Sequence, residues 1–130
     1  MSTSIRRRCV LAAGLGAALF AACSRPFDPD LVVEPIHVER VDMSLIATVP
    51  PQAAAHVVGV LGDGCATLHS VRQTRSGNAV TVTILRQRPL VAVCTQIALP
   101  YDDVIRLDGV FPAGSYVVRV NGVERTFTVE

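Results

Sequence analysis

The chain has 130 residues, with 12 basic and 11 acidic side chains, a length that suits one domain and not two. Half of the residues are hydrophobic, which excludes a disordered chain and leaves enough apolar side chain for a core. All 12 bases are arginine, and beyond the Arg6-Arg7-Arg8 run they form no basic stripe of the kind a nucleic-acid binder carries, so no nucleic acid is expected as a partner.

Residues 1–8 (MSTSIRRR) are positively charged, and residues 9–22 (CVLAAGLGAALFAA) are an apolar run. Charge followed by a short apolar stretch and small residues is the pattern of an export signal. A helix of these 14 residues would rise about 21 Å, short of the roughly 30 Å hydrocarbon core. A permanent transmembrane helix is therefore the weaker alternative.

The run ends in Leu19-Phe20-Ala21-Ala22-Cys23, which resembles the lipobox of bacterial lipoproteins. The resemblance implies removal of residues 1–22, a diacylglycerol thioether on Cys23, and an acyl group such as palmitate on its new amino terminus. Several acyl chains would hold the chain on a membrane, where one gives only marginal binding. Ser24 at the next position implies, for a Gram-negative cell, sorting to the outer membrane. Ordinary secretory cleavage beside an incidental Cys23 is the alternative. Arg7-Arg8-Cys9-Val10-Leu11 also resembles a loose twin-arginine export signal, so the export route stays open. Without residues 1–22 the chain keeps 9 arginines against 11 acids, a net charge near −2.

Of the four cysteines, Cys9 would leave with the signal and Cys23 would carry lipid. Cys65 and Cys94 remain, in a compartment that favours oxidation, and are expected to form a disulfide. A redox or metal-binding thiol pair is the alternative, but there is no CxxC spacing and no Cys/His cluster around them.

Residues 23–35, the lipidated cysteine and a stretch rich in proline and acids, read as an extended tether, and residues 36–130 as the folded domain. Residues 36–41 and 45–49 are expected to form one opening strand or a pair, stopped by Pro50-Pro51, and further strands are expected over 56–61, 65–73 and 79–86. The last two are joined by a turn at Ser76-Gly77-Asn78. Alternation places Val80, Val82 and Ile84 on one face. Residues 90–99, around Cys94, and 102–107 are expected to be further strands.

The strongest local signal comes last. Asn121-Gly122 between two valine-rich runs predicts a two-residue hairpin, because both central positions of a type I′ turn need positive φ. That register pairs Val120 with Val123, Val118 with Arg125, and Tyr116 with Phe127. Arg125 then falls on an apolar face, so that either it reaches out at the rim or a bulge shifts the register. Seven or eight short strands without helical periodicity predict an all-β fold, an antiparallel immunoglobulin-like β-sandwich.

Asp63-Gly64-Cys65, Val93-Cys94-Thr95-Gln96 and the Pro112-Ala113-Gly114-Ser115-Tyr116 run into the Asn121-Gly122 hairpin are similar to small uncharacterised secreted bacterial β-sandwich modules. The resemblance covers roughly residues 57–129. It implies fold and compartment and assigns no catalytic residue.

The residues offer little chemistry. His37, His56 and His69 are not spaced to share a metal on one strand, and no G-x-S-x-G elbow is present. Ser70 and Ser115 fall in expected strands. Asp102-Asp103 would point to opposite faces. Asp63, alone between two glycines, lacks the oxygen ligands a calcium site needs. No catalytic residue, metal or cofactor is expected. The expectation is a lipid-anchored envelope protein outside the cytoplasm, acting as a non-catalytic module for a protein, glycan or envelope component. Its loops would carry that function, with 50–55, 62–65, 86–90 and 100–103 as candidates. A structural assembly subunit and a metal-dependent enzyme are the alternatives. The ligand and the oligomeric state are not legible.

Overall fold

The computed structural model describes residues 30–130. The expected signal peptide, Cys23 and Ser24 lie outside the described residues. Eight strands form two sheets: β1 (Leu31–Pro35), β2 (His37–Ile46), β3 (Gln52–Gly62), β4 (Thr67–Ser76), β5 (Ala79–Pro89), β6 (Leu99–Arg106), β7 (Gly114–Val120) and β8 (Val123–Val129). One sheet holds β2-β3-β6. The other is built on β5, with β1, β4, β7 and β8. The expected all-β sandwich is present.

Strand β4 runs along one edge of β5. Strands β1 and β7 share the other edge end to end, opposite residues 85–89 and 79–82 respectively. All pairings are antiparallel except β5 with β7. The cause is the connection at residues 107–113. It carries the chain from the end of β6 to the other sheet at the same end of the sandwich where β5 begins, so β7 sets out alongside β5.

Period-2 alternation sends Val80, Val82 and Ile84 of β5 and Tyr116, Val118 and Val120 of β7 inward. There they meet Val41, Ala53, Ala55, Val57 and Ile105 of the facing sheet. Each fully buried aliphatic side chain contributes roughly 1.5–3 kcal/mol by leaving water. Both seams between the sheets are stitched by side chains. Gln73 on β4 donates to the Arg106 carbonyl (2.8 Å) and accepts from the Asp108 N–H (2.9 Å). Arg125 on β8 donates through Nε to the Val41 carbonyl (3.1 Å). These bonds occupy sheet edges that would otherwise offer unpaired backbone.

The C-terminal hairpin has the expected register, with φ of 44° at Asn121 and 89° at Gly122. Arg125 reaches out at the rim to β2, and no bulge intervenes. Tyr116 donates its hydroxyl to the Pro112 carbonyl (2.6 Å), fixing the corner before β7 in the manner of a tyrosine corner.

Three expectations change, and an open one is decided. Residues 31–35, assigned to the tether, form β1 on β5. Of the two readings of 36–49, one strand or a pair, the structure has the single strand β2, which ends at Ile46. A bulge between Val38 and Arg40 resets the alternation, so Val38 and Val41, three apart, both face inward. Opposite the bulge, Gly59 lies so close to β2 that a Cβ there would strike the His37 carbonyl. Strand β3 begins at Gln52 rather than at residue 56, because Ala53, Ala54 and Ala55 are small enough to be buried there. Residues 90–98 are a loop and not a strand; their valines face solvent, with no ladder partner to hold an extended conformation.

Candidate functional site

The sandwich has two ends. At one lie the start of β1, the end of β3 and the 90–98 loop. Cys65 and Cys94 are joined there in a disulfide, with Cα atoms 5.5 Å apart. Asp63 shapes this end: its Oδ1 accepts from the Cys65 N–H (3.0 Å) and its Oδ2 pairs with Arg88 (3.3 Å). The Gly64 N–H donates to the Thr95 carbonyl (3.0 Å), so the 63–66 turn and the 90–98 loop are tied by backbone as well as by sulfur. Beside them Arg86 pairs with Glu34 (3.0 Å) and donates to the Leu61 carbonyl (3.0 Å). A small depression of about 180 Å³ is lined by Val32, Glu34, Arg88, Pro89 and Leu90.

Asp63, Cys65 and Cys94 are also close enough to share a metal ion. Both sulfurs are engaged in the disulfide, however, so thiolate ligation would first require reduction.

At the opposite end lie the 47–51 turn and the 107–113 connection, whose Phe111 N–H donates to the Pro51 carbonyl (3.0 Å). A shallow depression of about 400 Å³ opens here between Leu45, Ile46, Pro51, Thr128 and Val129. Phe111 fills the core beneath. It is fully buried, edge-on to Tyr116 and Phe127 at centroid distances of 5.1 and 5.4 Å. The guanidinium of Arg75 covers its ring at 4.4 Å and donates to the Val110 carbonyl.

The histidines are dispersed. His56 Nε2 lies 2.6 Å from Asp102 Oδ1 on the solvent face of β3 and β6. His69 contacts Gln87 on the other sheet (3.1 Å), and His37 is exposed at the start of β2. Ser70 and Ser115 both lie on the sheet opposite His56, and Ser115 faces Thr128, so neither completes a nucleophile–base pair with it. Asp103 accepts from the Val104 N–H (2.9 Å) while Asp102 serves His56; the two carboxylates do not act together. Burial, and secondarily the charge of Asp103, raise the pKa of Tyr101 above that of a free tyrosine.

Of the candidate loops, 62–65 is a turn at the disulfide end. Most of 50–55, 86–90 and 100–103 instead lies in strands β3, β5 and β6. The connections that do lie between strands include 47–51, 90–98 and 107–113. Sequence reasoning missed 90–98 because its apolar residues resembled a strand, and it took Pro112-Ala113-Gly114 as a turn into the hairpin without naming 107–113 as a candidate. Among the described residues, no helix is long and apolar enough to cross a membrane.

The family model described as the ORF11 beta-sandwich domain matches residues 55–129, from β3 to the end of β8. An "Uncharacterized 10.2 kDa protein in HgiCIIM 5'region" of Herpetosiphon aurantiacus is 33% identical over 86 residues, 66% of this chain and 92% of that protein. Two further 10.2 kDa proteins of that organism, from the HgiBIM and HgiEIM 5' regions, are each 34% identical over 76 residues. Those alignments cover 58% of this chain and 93% of each relative. No solved structure matches the chain.

Proposed function

We propose that this chain, which belongs to the ORF11 beta-sandwich family, is a lipid-anchored envelope protein whose sandwich serves outside the cytoplasm as a non-catalytic binding module. The anchor is lipid on Cys23, and the partner is a protein, glycan or other envelope component. The observation that supports the compartment is the Cys65–Cys94 disulfide, which joins residues 29 positions apart in sequence and ties two connections together. Such a cross-link persists in oxidising, extracytoplasmic surroundings. The charged, apolar and small-residue segments that end at Cys23 supply the matching address. The end bearing the 47–51 and 107–113 connections, with its apolar depression, is the face offered to a partner.

Growth of the producing bacterium with an alkyne-bearing fatty acid tests this reading. The wild-type chain is expected to take up the label and to sediment with membranes. Cys23→Ser is expected to lose the label and move to the soluble fraction. An unlabelled wild type, or a Cys23→Ser chain that stays labelled and membrane-bound, contradicts it.

A further inference from the structure

We infer that the disulfide-pinned loop 90–98 is a membrane-contacting element, which lays its apolar side chains into the interface of the bilayer that holds the anchor. The inference rests on the lipid-anchor reading of Cys23. Leu90, Val91, Val93 and Ile97 are 59, 90, 105 and 51% exposed, an unusual density of bare aliphatic surface for one loop. No charged residue occurs from Pro89 to Tyr101, so no side-chain charge in the loop resists a low-dielectric surface. The charges at its border are already paired, Arg86 with Glu34 and Arg88 with Asp63, which lowers the cost of bringing them to a headgroup layer.

Position identifies the occupant. The Leu90 N–H donates to the Asp30 carbonyl (2.6 Å), and Leu31 pairs with Pro89. The chain therefore enters the described domain against the base of this loop. From Cys23 to Asp30 is seven residues, a span of at most about 25 Å. Lipid on Cys23 would thus hold the loop close to the bilayer. The opposite end of β3, an 11-residue strand, lies ~35 Å further out. The disulfide and the Gly64–Thr95 bond hold the loop in place, so its apolar surface cannot fold back into the core. Interfacial binding of this kind scales with the apolar area buried, and lipid attachment keeps the loop continuously at the surface.

The protein contains no tryptophan, so one introduced indole reports its own surroundings. Mature full-length protein carrying Val91→Trp or Val49→Trp is incorporated into phosphatidylethanolamine/phosphatidylglycerol vesicles with and without brominated acyl chains. Val49 is fully exposed at the far end. The Val91→Trp indole is expected to emit at shorter wavelength and to lose about half of its emission to bromine, as for a side chain ~5–10 Å into the interface. The Val49→Trp indole is expected to be unaffected. Mass spectrometry of the N-terminal peptide is read on the same samples. Acylated Cys23 with an unquenched, water-accessible Val91→Trp indole overturns the membrane contact and leaves the anchor standing. An indole shielded from water yet unquenched by bromine places protein, a partner or a second copy, on the loop and also overturns it. Unacylated Cys23 removes the anchor reading and this inference with it.

Discussion

The side-chain amide of Asn121 hydrogen-bonds both backbone groups of Ile84: its Oδ1 accepts from the Ile84 N–H (2.9 Å) and its Nδ2 donates to the Ile84 carbonyl (2.9 Å). The same Nδ2 donates to the Ile36 carbonyl (3.0 Å). Strands β1 and β7 leave a gap along β5 at residues 83–84, and the amide fills it as one peptide unit of a strand would. Asn121 thus serves a turn that needs positive φ and also repairs a sheet.

Asn121→Gly separates the two roles, because glycine keeps the turn and loses the amide. The Ile84 carbonyl keeps the Ile36 N–H (3.1 Å), but the Ile84 N–H and the Ile36 carbonyl lose the amide, at an expected cost of about 2–4 kcal/mol, read by urea denaturation. Asn78→Gly removes one exposed bond, to the Ser115 carbonyl, and is expected to cost about 1 kcal/mol or less. Equal losses would show that the Asn121 amide matters only to the turn.

The Cys65–Cys94 cross-link constrains the unfolded chain. With its ends 29 positions apart in sequence, its removal in the Cys65→Ser/Cys94→Ser double variant is expected to cost about 3–4 kcal/mol. Calorimetry with and without reductant checks this: reductant should lower the wild-type transition and leave the double variant unchanged.

Phe111 joins the connection at 107–113 to the core. Phe111→Ala is expected to destabilise by about 3–5 kcal/mol through the cavity left against Tyr116 and Phe127. Arg75→Met, which removes the cation over the ring and the bond to Val110, is expected to cost on the order of 1 kcal/mol. Chemical denaturation of both variants orders the two effects; a larger loss for Arg75→Met would contradict the packing account.

Tyr101 links stability to alkaline pH. Its hydroxyl is buried without a hydrogen-bond partner, and burial raises its pKa above 10.0. The folded state therefore holds the proton more tightly than the unfolded one. The stability this contributes is full below pH 10 and is lost as pH rises through the folded pKa. Tyr101→Phe is expected to be at least as stable as wild type at pH 7, since it deletes an unsatisfied group, and to lose less stability above pH 10. Parallel stability–pH curves above that point would contradict the assignment.

The hairpin from Ser115 to Val129 was legible because its cues agree: alternation, an aromatic pair, and a dipeptide suited to positive φ. The Cys65–Cys94 pairing was legible from cysteine counting once Cys9 and Cys23 were set aside. For β2 the sequence left one strand or two open because Asp42, Met43 and Ser44 interrupt the apolar run, although they pair with β3 without a break; the bulge between Val38 and Arg40 left no local signal. Residues 90–98 read as a strand because they carry strand composition; only the absence of a partner makes them a loop. The role of Phe111 and the second role of Asn121 come from tertiary placement, and no local pattern announces either.

The most direct test is the intact mass of the mature protein purified from its membrane. The account predicts a chain that begins at Cys23, carries a diacylglycerol and an acyl group, and is two hydrogens lighter than its reduced form. A chain that retains residues 1–22, or begins at Cys23 without lipid, would contradict it.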